Sequence, residues 1–228
     1  AGVVTSAEGM SVISGEDCGA EQAVIDGIVY NTGRFKMSEF LGRDVTVYVN
    51  AKTDEVLYAA AQRGDVIDIS APDYLGMKNG RIYYLTDDDK ERFVSISDNT
   101  RIVYNGRYKS RAGLTDSLEL KSGSIRLIRN GSSAYETILV WEYESYIAAN
   151  SGALSSKLTD RRGRVFEIND SDTDAVQLTL YGEHAEFRTA RVARGDVISV
   201  AASEDGRIIR IDVSAVRLLG TVSYIEAS

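Results

Sequence analysis

The sequence predicts an all-β protein made of tandem small β-barrel modules, SH3-like or OB-like, with short helical turns. Three observations predict this fold class: short runs that alternate apolar and polar residues, glycine-based turns between them, and one hairpin pattern that occurs three times. The chain has 228 residues, with 20 glycines and a single proline. This composition favours closely spaced strands joined by glycine turns, because proline interrupts the hydrogen-bond ladder of a sheet.

The strand signal is an alternation with a period of two residues. It is clearest in Val45–Val49, Ser124–Ile128 and Arg207–Val213. Such a pattern predicts strands with one buried face and one solvated face. In the last run, Ile209 and Ile211 are predicted to share the buried face.

Turns and short helical segments are predicted between these strands. Asn, Asp and Gly tolerate positive φ, so Asn-Gly and Asp-Gly pairs predict tight hairpin turns. The chain has four such pairs: Asn79-Gly80, Asn105-Gly106, Asn130-Gly131 and Asp205-Gly206. Helical periodicity is confined to Phe35–Leu41 and Arg111–Leu120.

The hairpin pattern divides the chain into modules. Each copy reads glycine, polar residue, strand, polar turn and second strand, at Gly42–Ala59, Gly123–Val140 and Gly195–Ile211. A strand ending in tyrosine precedes each copy, and these tyrosines are 74 (104 − 30) and 77 (181 − 104) residues apart. The repeat predicts β-modules at residues 1–62, 63–141 and 142–217.

Residues 218–228 are predicted to form a separate strand. The segment Gly220–Glu226 is similar to the opening segment Gly2–Glu8. It is therefore interpreted either as the first strand of a following module or as an assembly strand, with Gly220, Val222 and Tyr224 as its key residues. An unpaired strand of this kind is an edge that favours pairing with a second copy.

The composition excludes several classes of function. With one histidine and one cysteine, the chain cannot build a Cys/His zinc site, which needs three or four such ligands. The net charge of −8 argues against a nucleic-acid partner. Apolar runs such as Thr137–Trp141 are far shorter than the roughly 20 residues that cross a bilayer, so no membrane insertion is expected.

The modules resemble the repeated β-domains of large cell-surface proteins of clostridia-like Gram-positive bacteria, which occur with S-layer homology anchoring domains. The segments that carry the resemblance are Val103–Gly106, Gly123–Gly131, Glu142–Ile147, Gly195–Val200 and Gly220–Val222. The resemblance implies an extracellular, structural role at the cell wall, with no activity attached. In that family the turn after the middle strand is often rich in Asp and Gly. Here the turn reads Arg129–Ser133, which weakens any expectation of calcium there.

Two kinds of binding site remain open alternatives. Asp170, Asp172 and Asp174 have the spacing that begins a calcium-binding loop, but Ala175 stands where such a loop requires glycine. A solvated turn is favoured, with no cofactor expected and calcium as the alternative.

The chain also has 13 tyrosines, and Trp141 and Tyr143 lie on one face of a predicted strand. Packing is favoured for this pair over stacking on a glycan.

Two Arg-Gly-Asp triplets occur, at Arg63–Asp65 and Arg194–Asp196. We interpret them as strand openings in which the aspartate binds the backbone, rather than as adhesion motifs. His184 is interpreted as a surface hairpin residue and Cys18 as an inert thiol, because neither has a companion catalytic motif.

The sequence as a whole predicts a non-enzymatic structural module array of a bacterial cell-surface or S-layer-associated protein. Its expected partners are other copies of itself or neighbouring modules of the same chain, with cell-wall polymer as a further partner. The alternatives are a glycan- or cell-wall-binding adhesin and a structural subunit of a virion, phage tail or filament.

Overall fold

A computed structural model describes residues 1–33, 35–110, 118–154, 157–167, 176–204 and 206–215. Strands dominate, and the helical segments of the described residues are three short 3₁₀ turns. The predicted fold class, an all-β chain of small β-barrel modules with short helical turns, is confirmed.

The first sheet has six strands, and five of them close into a barrel. Its strands are β1 (Gly2–Ala7), β2 (Met10–Ser11), β3 (Gln22–Ile25), β4 (Ile28–Asn31), β5 (Asp44–Asn50) and β6 (Glu55–Ala61). The order is β1-β3-β4-β6-β5, and β5 returns to β1 through the pairs Gly2–Val45 and Val3–Asp44. β4 and β6 run parallel, and every other pair is antiparallel. This Greek-key order is that of an OB-type barrel.

A 3₁₀ turn at Met37–Phe40 lies between β4 and β5, inside the segment predicted to be helical. Its first two backbone N–H groups, of Met37 and Ser38, each donate to the carboxylate of Glu8 at 2.9 Å. Glu8 is buried, and this burial raises the pKa of its carboxyl group in spite of the hydrogen bonds. A buried acid therefore fixes the turn against β1.

The second sheet is open. Its strands are β7 (Asp65–Ser70), β8 (Tyr74–Lys78), β9 (Arg81–Leu85), β10 (Glu91–Tyr104), β11 (Arg107–Lys109), β12 (Gly123–Arg129) and β13 (Tyr135–Glu142), and a 3₁₀ turn spans Ala71–Asp73. The order is β7-β12-β13-β10-β9-β8, with β11 also on β10. The long β10 pairs with β9 at its beginning and runs parallel to β13 at its end.

The third sheet has five strands and lies beside two short strand pairs. The bounds are β14 (Glu144–Ile147), β15 (Gly152–Ala153), β16 (Lys157–Thr159), β17 (Val165–Glu167), β18 (Gln177–Leu180), β19 (Glu183–His184), β20 (Arg191–Val192), β21 (Val197–Ala202) and β22 (Ile208–Ser214), with a 3₁₀ turn at Phe187–Thr189. The order in the sheet is β14-β21-β22-β18-β19, and the short pairs are β15–β20 and β16–β17.

One pairing pattern recurs in all three sheets, which span residues 2–61, 65–142 and 144–214. An opening strand (β1, β7 or β14) lies antiparallel to the first strand of a hairpin, and the second hairpin strand runs parallel to a preceding strand (β4, β10 or β18). In the second and third sheets, the backbone N–H groups of Asn105 and Tyr181 occupy equivalent places. They donate to Val140 and Val213, each at 2.9 Å.

By this equivalence, the repeat position in the third sheet lies one residue before the tyrosine that the sequence pattern predicts. Because Asn105 corresponds to Tyr181, Tyr104 corresponds to Leu180, and the spacing by geometry is 76 residues (180 − 104). Both dipeptides that follow, Asn105-Gly106 and Tyr181-Gly182, have positive φ at both residues. The backbone turn is thus repeated even though the tyrosine is not.

Candidate functional site

The three modules meet at a common junction, and its apolar contacts extend one of the barrel cores. The second and third modules each have a core of their own. The core of the first module continues into residues of the other two: Val103, Ile128, Leu139 and Trp141 from the second and Ala201 and Ile209 from the third. The first module therefore has no core that is separate from its neighbours.

Strand β13 shows how the second module reaches this junction. Ile138 and Val140 lie in the module's own core, while Leu139 and Trp141 lie in the shared core. Both faces of the strand are thus buried, which explains why its sequence is an apolar run rather than an alternation. Similarly, Ile209 lies in the shared core beside a β-bulge and Ile211 lies in the third module's core, so the prediction that they share a face does not describe their packing.

Gly106 stands where all three modules touch. A Cβ atom at this position would lie 2.9 Å from Met10 Cγ of the first module and 3.0 Å from Ile209 Cγ2 of the third. Its carbonyl accepts a hydrogen bond from the Ser11 N–H at 3.2 Å. Only a glycine permits this close approach together with the observed φ of +78°.

Asn105 connects the second and third modules. Its Nδ2 donates to the carbonyls of Glu142 at 3.2 Å and Ala202 at 2.8 Å, and its Oδ1 accepts from the Glu142 N–H at 2.9 Å. The side chain is buried, so each of these bonds replaces water that the site excludes. The Asn-Gly pair is therefore a junction element as well as the predicted turn.

Two further polar links join the first module to the other two. The Asn130 side chain accepts from the Asp44 N–H at 2.9 Å and donates to the Gly42 carbonyl at 2.8 Å. His184 Nε2 of the third module lies 2.7 Å from Glu39 Oε1 of the first. Since every pair of modules is in contact, the arrangement is a closed triangle rather than the linear series that a tandem array implies.

Trp141 and Tyr143 lie at this junction and not on an open strand face. The Trp141 ring is 7% exposed and carries the Arg210 guanidinium at 5.5 Å from its centroid. Tyr143 packs against the shared core, and burial raises the pKa of its hydroxyl group. The pair thus offers no open platform on which a sugar ring could stack.

Two sets of predicted site residues lie outside the described part of the chain, namely the calcium candidates Asp170, Asp172 and Asp174 and the assembly-strand residues Gly220, Val222 and Tyr224. The predicted helical segment Arg111–Leu120 is described only from residue 118, and the predicted turn residue Asp205 also lies outside the described residues. Within the described residues, no three His, Cys, Asp or Glu side chains converge to hold a metal ion. Nor does the described chain contain a helix long and apolar enough to cross a membrane.

The two Arg-Gly-Asp triplets differ in accessibility. Asp65 opens β7 at the surface and pairs with Arg129. Asp196 is fully buried, and its Oδ2 accepts from the Ala193 N–H and the Tyr181 hydroxyl, each at 2.6 Å. The interpretation of the second aspartate as a backbone-binding residue agrees with this geometry.

Cys18 is partly buried at the edge of the first barrel. It lies 3.2 Å from the Ser6 hydroxyl and 3.4 Å from the Gln22 carbonyl. Burial raises the pKa of the thiol, and the nearby charges of Asp17 and Glu8 raise it further. A raised pKa lowers the fraction of the nucleophilic thiolate at neutral pH.

A cavity of about 480 Å³ opens where the modules meet. Each module contributes to its wall: Arg43 and Glu39 from the first, Arg126 and Trp141 from the second, and His184 and Arg210 from the third. No single segment of the sequence contains this constellation, and only the triangular packing brings it together. Comparison of the chain with protein families, curated proteins and solved structures finds no match.

Proposed function

We propose that the chain is a non-enzymatic structural unit of a bacterial cell-surface protein, in which three β-barrel modules act as one rigid body. The shared core is the observation that carries this proposal. Small β-modules of about 70 residues bury a limited fraction of their surface and are marginal alone. Contacts that continue from one module core into the next couple their stabilities, as in other repeat proteins.

Rigidity under load follows from the closed arrangement. In a linear string, each linker bends and each module can unfold by itself. In this chain, opening any one module exposes part of the core that the others use. Such a unit resists bending and resists stepwise unfolding, which are properties that a surface layer requires.

Contact with further copies is supported by an exposed apolar patch on the first barrel. Tyr48 on β5 is paired with Tyr58 on β6, and a β-bulge places the extra residue Leu57 beside them. These three side chains are 62%, 56% and 61% exposed, respectively. Contiguous exposed apolar groups of this kind mark interaction surfaces.

Single-molecule pulling on the chain tests the mechanical part of the proposal. We expect one main unfolding event that releases the length of all three modules together. Three separate events of similar force, each releasing about one third of the chain, would contradict a single rigid body.

Surface labelling tests the location. In intact cells of the source organism, an added protease should degrade the protein, and an antibody added from outside should bind it. Protection in intact cells with release on lysis would refute a surface location, and recovery in virions or phage particles would favour the viral alternative.

Sedimentation tests the patch. The double variant Leu57→Ser, Tyr58→Ser should reduce self-association in a concentration series, whereas Leu75→Ser, which removes an exposed leucine from β8, should not. If the wild type and both variants self-associate equally, the patch has no part in self-association.

A further inference from the structure

Basic side chains outnumber acidic ones in the wall of the junction cavity, although the protein as a whole is negatively charged. The chain carries a net charge of −8, yet the cavity wall contains three arginines and a histidine. Glu39 is the one carboxylate among its described lining residues. Clefts lined by one sign of charge concentrate ions of the opposite sign.

The three arginines come from three modules and differ in how far they are neutralised. Arg126 donates to both oxygens of Asp68, at 2.7 and 3.1 Å. Arg210 Nε lies 3.4 Å from Asp212 Oδ2. Neither aspartate is part of the cavity wall. Arg43 makes no ion pair with another described residue, so its charge remains available to a ligand.

The rest of the wall suits a small polar organic molecule. Thr179 supplies a neutral hydrogen-bonding group, as does the pair in which Gln177 Nε2 donates to the Ser38 hydroxyl. The small exposed edges of Leu139 and Trp141 supply apolar surface. The volume of about 480 Å³ lies within the range of small-molecule sites, about 300 to 1,000 Å³. Guanidinium groups bind phosphate and carboxylate through paired, charge-assisted hydrogen bonds.

We propose that this cavity binds a monosaccharide-sized oxyanion, that is, a sugar that carries a phosphate or a carboxylate group. Arg43 is the main anchor, Arg210 places a second cation above the indole of Trp141, and the neutral side chains contact the sugar hydroxyls. The binding site is complete only when all three modules are docked. It does not depend on the proposed role at the cell surface, which is tested by separate measurements.

Trp141 is the only tryptophan of the chain, so it reports on the cavity directly. The intact chain is titrated at low ionic strength with glucose 6-phosphate, glucuronate, inorganic phosphate and glucose. The readouts are tryptophan fluorescence and calorimetry. We expect saturable binding of at least one charged sugar, weakened by added salt, and none of glucose.

Matched variants separate the site from general charge effects. Arg43→Gln should weaken binding of the charged sugar by about tenfold or more, because it removes a charge-assisted contact. Arg92→Gln makes the same charge change on the exposed face of β10, outside the cavity, and should leave affinity within about twofold. Thermal unfolding of both variants checks that they fold. The double variant Arg126→Gln, Asp68→Asn tests a second arginine of the cavity, and it removes the aspartate that Arg126 would otherwise leave unpaired.

Each outcome has a defined meaning. Binding of glucose 6-phosphate alone identifies the phosphate form of the ligand, and binding of glucuronate alone identifies the carboxylate form. Inorganic phosphate that binds as tightly as the sugar phosphate refutes the sugar contacts. The absence of saturable binding by any anion, or equal losses in Arg43→Gln and Arg92→Gln, overturns the proposal.

Discussion

A methyl group at Gly106 should act as a wedge between the three modules. In Gly106→Ala, the new Cβ would approach Met10 Cγ to 2.9 Å and Ile209 Cγ2 to 3.0 Å, closer than ordinary van der Waals contact. Overpacking of this kind costs about 1–3 kcal/mol. The residue also has φ of +78°, and a side chain in the left-handed region costs a further 1–2 kcal/mol or so.

The structure supplies a matched control for this experiment. Gly182 occupies the equivalent turn of the third module with φ of +92°, and nothing lies within 4 Å of its would-be Cβ. Gly182→Ala therefore reproduces the backbone strain without the wedge. The difference between the two variants isolates the clash at the junction and is expected to be about 1–3 kcal/mol.

Urea and thermal unfolding provide the measurement. Gly106→Ala should lose about 2–5 kcal/mol in total, which corresponds to a fall in melting temperature of roughly 4–20 °C for a chain of this size. Gly182→Ala should lose only about 1–2 kcal/mol. Equal losses in the two variants would refute the view that Gly106 is packed between modules.

Three further predictions follow from buried polar groups. Asn105→Ala should lower the free energy of unfolding by about 2–4 kcal/mol more than Asn79→Ala does. Both residues have positive φ, but only the Asn105 side chain makes buried hydrogen bonds. Similar losses in the two variants would contradict the linking role of Asn105. Burial raises the pKa of Glu8, so the contribution of this group to stability is present below about pH 4.5 and is lost as the pH rises through the folded-state pKa. The stability of Glu8→Gln relative to the wild type should therefore increase as the pH rises above about 4.5 in urea titrations, and a pH-independent difference would count against this. The Cys18 thiol should react with a disulfide reagent about tenfold more slowly in the folded chain than in urea, and equal rates would show that it is accessible.

Local patterns in the sequence predict the strands and turns well because they depend on neighbouring residues. Positive φ at both residues of Asn79-Gly80 and Asn105-Gly106 follows from the conformational tolerance of Asn and Gly. The strand β7 begins at Asp65, where the Gly-Asp pair places it. These features need no information about distant parts of the chain.

Packing between the modules is harder to predict, because it depends on which strand faces meet. The sequence favours packing over glycan stacking for Trp141 and Tyr143, and both lie at the junction. It does not indicate which module they pack against. The apolar run Thr137–Trp141 adds one clue, because its uninterrupted character indicates that both sides of the strand are buried. The charged cavity has no comparable signal, because its arginines are separated by 83 (126 − 43) and 84 (210 − 126) residues.

The two buried faces of β13 also limit how the modules can be rearranged. An excised second module would present Leu139 and Trp141 to water, and such a surface favours aggregation. During synthesis the first module precedes the second, so its residues are present when β13 is made. In a permuted chain that began with the second module, Leu139 and Trp141 would stay exposed until the first module was synthesised. The three units share one pairing pattern, but their order along the chain is part of the fold.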